Sequence, residues 1–407
     1  MLVAFRNPNV SRTPSIALVH DWLDAPGGGE AVLASLLHLF PDAPVYTLVD
    51  FLSADERRRL GASTIHTSPV QDAPLARRWF RYAAALMPEL IERLDVADFD
   101  VIVSDSHAIA KGIRKHQRQL HICYCHTPAR FAWTMASTYG ERAASGNAIR
   151  AVLVARAQAR FRRWDLAASR NVDHFVTNSN HIARAIRRCY DRAATVIHPP
   201  VDVDRFESAG YDARTDEYVT VSRLVPYKRI DLIIEAFRTM PQRRLTVVGD
   251  GPDRTRLVRD LPANVTLTGR LDDAQTAAVV GRARAFVFAA HEDFGIAPIE
   301  AQAAGTPVIA YRAGGSSETI RDLDTALPTG VLFDAQTADA IVAAVERFET
   351  TRIDADACRI NAARFSAARF RIEFAAHFDA LLREHGSARN AASSARPHPV
   401  ASTQQAV

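Results

Sequence analysis

Residues 287–320 read VFAAHEDFGIAPIEAQAAGTPVIAYRAGGSSETI. The apolar run from Ala285 to Ala290 predicts a buried parallel strand, because strands covered on both faces are continuously apolar rather than alternating. It ends in a polar loop, His291-Glu292-Asp293-Phe294-Gly295. Pro298 predicts a helix start, where its fixed φ and missing N–H cost nothing, and puts Glu300 in the first turn. Pro307 to Tyr311 predicts the next strand, and Ala313-Gly314-Gly315-Ser316 a tight turn. This is a βαβ unit with its polar loop at the carboxyl end of a strand, the end at which open α/β sheets bind ligands.

Glu292 and Glu300 flank a small, glycine-containing segment. Paired carboxylates suit a polyhydroxyl ligand, since each accepts two hydroxyl hydrogen bonds and its charge strengthens them. Gly295 admits close backbone approach, and the helix start offers N–H groups and a positive dipole end to phosphate. Taken alone, the same residues also read as loop solvation and a dipole-favouring acid.

The whole constellation resembles the signature of retaining glycosyltransferase family 4: E-x7-E enclosing Phe294-Gly295, a small-residue helix over Ala301–Gly305, and the Gly314-Gly315 turn. The resemblance covers roughly residues 15–385 and implies an α/β fold of GT-B type, two Rossmann-like domains facing across a cleft. The run IALVHDWLDAPGGGEAVLASLLHLFPDAPVYTL, together with EDFGIAPIEAQAAGTPVIAYRAGG, is similar to bacterial GDP-mannose-dependent mannosyltransferases of O-antigen and exopolysaccharide assembly. Those act on lipid-diphosphate-linked acceptors.

Working outward, Glu217–Ser222 predicts the strand that opens the second domain, followed by Arg223-Leu224-Val225-Pro226-Tyr227-Lys228 and a helix. Two cations before a helix N-terminus are what a diphosphate requires. The resemblance assigns Arg223 and Lys228 to the donor diphosphate, Glu300 to ribose hydroxyls, and Glu292 with the Phe294-Gly295-Ile296 backbone to the sugar ring. It also brings the Gly249 loop near the phosphates and the Gly269-Arg270 backbone near the base.

In the first half, Ser15–His20 predicts a central strand. It runs into Asp21-Trp22-Leu23-Asp24-Ala25-Pro26-Gly27-Gly28-Gly29-Glu30 and a helix beginning at Ala31. Strand, glycine loop and helix present N–H groups to an anion, although this is not the dinucleotide fingerprint. The resemblance makes Asp21, Gly27, Gly28 and Gly29 an acceptor or phosphate loop. Val45–Val49, Asp100–Ser104, Leu120–Cys125 and Asp173–Asn178 predict further strands. His126 directly follows one of them, and the resemblance sets it beside the donor sugar.

The domain expectation is a flexible leader over 1–14, an acceptor domain over 15–205, a nucleotide-sugar domain over 206–362, a returning helix over 363–385 and a disordered small-residue tail over 386–407. Residues 1–190 carry 24 Lys+Arg and 17 Asp+Glu, or +7, and the whole chain is +4, so the remainder is −3. A basic first half suits an anionic partner or a solvated surface. The Arg- and aromatic-rich stretch 75–94 reads as an interfacial membrane segment, with Trp79, Phe80 and Leu86 inserted and Arg77, Arg78 and Arg81 at headgroups, or as a helix docked on its own domain. No apolar run reaches the roughly 18–20 residues of a membrane span. The expected location is cytoplasmic, at most peripheral on the inner membrane.

The four cysteines have neither a disulfide nor a zinc spacing, and no Asp-x-Asp metal motif lies near the site, so no cofactor or metal is expected beyond the sugar nucleotide. No groove-reading motif points to nucleic acid. The alternatives are a UDP-sugar donor on the same fold, a glycan phosphorylase or nucleotide-sugar epimerase, and a sugar-nucleotide-binding protein without turnover.

Overall fold

The computed structural model describes residues 13–25, 27–80, 86–137, 140, 146–206 and 214–394. Two parallel sheets organise it. The first comprises β1 (Ile16–His20), β2 (Val45–Thr47), β3 (Ile65–Thr67), β4 (Val101–Ser106), β5 (Leu120–Cys125), β6 (His174–Thr177) and β7 (Ala194–Val196), in the order β3-β2-β1-β4-β5-β6-β7. The second comprises β8 (Glu217–Val221), β9 (Arg244–Val248), β10 (Val265–Gly269), β11 (Ala285–Phe288), β12 (Val308–Tyr311) and β13 (Gly330–Phe333), in the order β10-β9-β8-β11-β12-β13. Each order reverses once, between β1 and β4 and between β8 and β11. Such switch points are where doubly wound sheets open a crevice for ligand.

Side chains alternate across each sheet, and both faces are covered. Leu18, Val103 and Ile122 pack on one face of the first sheet, while Ala17, Val19 and Ile102 pack on the other. In the second sheet Val247, Val287 and Ile309 oppose Val219, Phe286, Phe288 and Val308. Double coverage explains why these strands read as apolar runs.

The chain crosses between the sheets twice. The first crossing, Val201–Phe206, lies beside the second: Val201 bridges Ser366 and donates its N–H to the Phe365 carbonyl at 2.9 Å. Beyond Ser366, the helix Ala367–Ser394 returns to the first sheet, where Phe370, Phe374, Phe378 and Leu381 join the core cluster of Leu33, Leu37 and Phe40. It continues well past residue 386, the start of the expected tail. The leader up to residue 12 and the tail from 395 lie outside the described residues.

The stretch 75–94 departs from the interfacial reading. It forms two short helices, Ala76–Trp79 and Met87–Glu92. Phe80 is a core side chain, 3 % exposed, with ring centroids 6.2 Å from Trp22 and 5.5 Å from Phe51, so it is not free to insert into lipid. Arg81 and the Trp79 side chain lie outside the described residues, whereas Leu86 is exposed.

Candidate active site

The glycine segment is shorter than a loop. Its helix spans Gly28–Leu39 with Gly27 as N-cap, so Gly28 and Gly29 form the first turn instead of preceding it. They face the cleft. A Cβ on Gly28 would stand 3.0 Å from Ile296 Cδ1 of the second domain, and one on Gly29 would stand 3.5 Å from the His20 ring and 3.8 Å from His126 Nε2.

Beneath this turn, the ends of β1, β4 and β5 bring together groups whose sequence separation hid them. Asp105 takes His20 Nδ1 at 3.0 Å with one oxygen and His126 Nε2 at 2.5 Å with the other, while Glu30 lies 3.8 Å from His20 Nε2. His20 and Asp105 are fully buried, and His126 reaches the cleft. Burial opposes a charge on His20, but Asp105 and Glu30 overcome it and push the imidazole up to about 10. Burial likewise opposes the Asp105 carboxylate, and His126 and His20 hold it below the usual range. An imidazolium–carboxylate pair thus supports His126 from behind.

Asp21 has a different place from the one expected. Its carboxylate is fully buried and accepts the backbone N–H groups of His107, Ala108, Ile109 and Ala110 at 2.5–2.8 Å, with His107 Nδ1 at 2.8 Å. Every lone pair points into the domain, so Asp21 organises the turn after β4 and does not line a ligand loop.

On the second domain, the helix spans Ile296–Ala303 and is entered through Gly295 at φ +86°. Pro298 is therefore its third residue and Glu300 its fifth, each two positions further into the helix than predicted. Proline fits there because the first N–H groups of a helix have no intrahelical acceptor. The Gly314-Gly315 turn packs on the preceding loop: Gly314, at φ +62°, would place a Cβ 1.9 Å from the Glu292 carbonyl, and Gly315 N–H donates to that carbonyl at 2.9 Å. No side chain fits between them, so the glycine pair fixes Glu292.

Lys228 pairs directly with Glu292. Burial, and then the Arg130 guanidinium, pull the Lys228 ammonium below the usual lysine range, while its contact with Glu292 acts in the opposite direction. Arg223 is exposed at the start of the same turn. Glu300 binds Arg205 at 3.0 Å. Gly249 has φ +138° and would place a Cβ 1.9 Å from the Ser222 carbonyl; its N–H donates to Gly269 at 2.8 Å, drawing the three loops after β8, β9 and β10 together, with Arg270 exposed beside them. Phe294 offers only backbone to the cleft, since its ring is buried against His198 and Phe365.

The two halves touch through groups that no local pattern reveals. Arg130 donates to Asp293 at 3.0 and 2.5 Å, and the Ser179 hydroxyl donates to the Asp293 carbonyl at 2.8 Å. Glu318 accepts the N–H groups of Asn180 and His181 at 2.8 Å, so a carboxylate of the second domain caps the helix Asn180–Tyr190 of the first. Asp293 directly follows Glu292, so the loop that carries a candidate ligand also carries the interdomain contact.

Two family models match the chain in succession: "Glycosyltransferase Family 4" over residues 26–205 and "Glycosyl transferases group 1" over residues 203–365. Among curated proteins, the D-inositol 3-phosphate glycosyltransferase of Mycobacteroides abscessus is 32% identical over 166 residues, 36% of this chain and 38% of that protein. The GDP-mannose-dependent alpha-(1-6)-phosphatidylinositol monomannoside mannosyltransferase of Mycolicibacterium smegmatis is 34% identical over 175 residues, 36% of this chain and 44% of that protein. The matches therefore span less than half the length of these curated relatives. Among solved structures, Anabaena Alr3699/HepE in complex with UDP and glucose superposes with a TM-score of 0.64 at 18% identity, over 90% of this chain and 100% of that one. Sucrose-phosphate synthase from Thermosynechococcus elongatus superposes with a TM-score of 0.67 at 19% identity, over 91% and 100%. With two doubly wound sheets and a family match running from residue 26 to residue 365, the chain belongs to the family 4 glycosyltransferases and has the GT-B fold.

Proposed function

We propose that this glycosyltransferase moves mannose from GDP-mannose, with retention, onto a lipid-diphosphate-linked or polysaccharide-precursor acceptor at the cytoplasmic face of the membrane. One observation carries the donor half of this reading. Lys228 and Glu292, from different βα loops of the second sheet, meet at the start of the Ile296–Ala303 helix, which also bears Glu300. The donor exchanges that ion pair for its own contacts. Its diphosphate takes Lys228 and Arg223, its sugar hydroxyls take Glu292 and the Gly295-Ile296 backbone, and its ribose takes Glu300. Lys228 and Arg223 then stabilise the charge that develops on the leaving diphosphate, the kind of fixed electrostatic complement that is usually the largest catalytic contribution. No metal or other cofactor enters this reading. Glu292 and Glu300 bind hydroxyls and are not a hydrolase's acid and nucleophile. His126, held by Asp105, faces the sugar from the first domain.

The relative named for its dependence on GDP-mannose supports the choice of donor. Calorimetric titration with GDP, GDP-mannose, UDP, UDP-glucose and UDP-N-acetylglucosamine tests it. Preference for the guanine pair is expected, and preference for a uridine nucleotide replaces the donor while leaving the site intact. Glu300→Ala is expected to weaken donor binding about 10- to 100-fold, the worth of hydrogen bonds to a charged acceptor. Unchanged affinity in that variant removes Glu300 from the ribose.

The helix Ala148–Arg170 supports an anionic membrane partner better than residues 75–94 do. Ile149, Val152 and Leu153 are exposed on it beside exposed Arg150, Arg156, Arg160 and Arg163, and its one acid, Asp165, is buried. Exposed apolar side chains ringed by arginine suit an anionic lipid surface. No helix among the described residues is long and apolar enough to cross a membrane. Co-sedimentation with phosphatidylglycerol-containing vesicles, but not with pure phosphatidylcholine, is the expected result, and it is lost in Val152→Glu/Leu153→Glu. Equal recovery with both kinds of vesicle counts against the surface.

A further inference from the structure

We propose that Arg205, in the connection between the two sheets, is a positioning residue for the nucleotide: its guanidinium aims the Glu300 carboxylate at the ribose hydroxyls and keeps it in the accepting form. The inference rests on the donor site above and extends it to a residue of the domain connection.

Arg205 Nη2 donates to Glu300 Oε1 at 3.0 Å, and Nη1 lies 3.2 Å from Asp273 Oδ2. The guanidinium carbon sits 4.7 Å from the centroid of the buried Phe206 ring, within cation–π range, a second contact that limits where it can swing. With Oε1 held by arginine, Oε2 is the oxygen left to accept from the ligand.

The electrostatic surroundings make this contact necessary. Burial pushes the Glu300 carboxyl up and Arg205 pulls it back, while Asp273, from the helix Asp273–Arg282, and Asp202, from the connection, push it up again. Without the guanidinium, Glu300 faces burial and two like charges. A protonated Glu300 retains a neutral hydroxyl and carbonyl, and loses the charge that strengthens acceptance from ribose. Arg205 also ties this carboxylate to the crossing at Val201, which bridges Ser366.

Arg205→Met keeps an apolar stem over Phe206 and removes the charge, and Arg205→Lys restores a cation. In the ligand-free protein, carbon-detected titration of the Glu300 carboxyl, assigned by its loss in Glu300→Gln, is expected to move upward in Arg205→Met and to return towards wild type in Arg205→Lys. In steady-state assays with GDP-mannose, Arg205→Met is expected to raise donor KM about tenfold near neutral pH, with kcat changed less than KM. The part of the KM gap that comes from charge narrows towards higher pH, the direction that favours the Glu300 carboxylate, and the part that comes from lost aim stays. A Glu300 titration that does not move, or a donor KM that stays at wild-type value across the pH range, overturns the proposal. A wild-type protein that binds no nucleotide sugar overturns the donor site and this inference together. A wild type that binds, compared with an Arg205→Met variant that binds equally well at every pH, overturns this inference alone.

Discussion

Lys228→Ala is expected to lower kcat about 100- to 1,000-fold, with a smaller rise in donor KM. That is the usual loss when one group opposing a developing charge is removed. Two effects combine. The leaving diphosphate loses a cation, and Glu292, which pairs with Lys228, loses its counter-charge. Lys228→Arg keeps the charge but replaces a compact ammonium with a wide planar fork, so it restores only part of the rate. The pH profile gives a second measurement. Burial, and then Arg130, pull the Lys228 ammonium down, so raising the pH removes its proton earlier than in a free lysine. The alkaline limb of kcat/KM is therefore expected to lie below the usual lysine range in the wild type and to disappear in Lys228→Arg. A Lys228→Ala variant that transfers sugar at the wild-type rate would remove Lys228 from the chemistry.

Asp21→Ala is expected to destabilise the protein by on the order of 3–5 kcal/mol, the range for removing one member of a buried charged network. The substitution leaves four N–H groups at residues 107–110 without their acceptor in a dry interior. Burial opposes the Asp21 charge, but His107, then His20, then the Ala110 N–H hold the carboxyl far below its ordinary value. A carboxyl depressed on folding contributes stability that is fully present above its unfolded value, about 3.9, and is lost as pH falls below it. Urea midpoints of wild type and variant should therefore differ most above about pH 5 and converge in acid. Donor affinity, measured where the variant is folded, should hardly change. If stability were intact and ligand binding lost, Asp21 would return to the ligand loop.

Central strands were readable because their coverage on both faces makes them apolar runs, continuous in residues 285–290 and broken only by the buried His121 in residues 120–125. The edge strands β3 and β7 were not: three residues each, Ile65-His66-Thr67 and Ala194-Thr195-Val196, carry no such run. Pro298 marked a helix start correctly in kind but two positions late, because proline is tolerated throughout a first turn whereas Gly295, with its positive φ, makes the actual entry. Within the candidate site, Arg223, Lys228, Glu292 and Glu300 sit in compact motifs and could be picked out. The groups that support His126 and join the two domains could not. His20 and Asp105 are 85 positions apart, Arg130 and Asp293 are 163 apart, and Glu318 lies 138 from Asn180. Pairing of β1 with β4 inside the first sheet brings His20 to Asp105, and the approach of the two domains brings the other two pairs within a hydrogen bond. Arg205 carried a partial signal, an arginine set among Asp202, Asp204 and Phe206, but its carboxylate partner is 95 residues away.

The returning helix makes the first domain discontinuous in synthesis. Phe370, Phe374, Phe378 and Leu381 close a core whose other members lie mostly before residue 200. As the chain leaves the ribosome, Leu33, Leu37 and Phe40 stay uncovered until the second domain has been translated and the last helix has emerged. The second domain can therefore complete its fold before the first, reversing the usual N-terminal-first order. This late closure couples distant parts of the chain, the kind of topology that slows folding. It also leaves a greasy helix face available to chaperones for most of translation. A stop codon near residue 365 would preserve almost every candidate ligand-binding residue and still release a protein whose first half never seals.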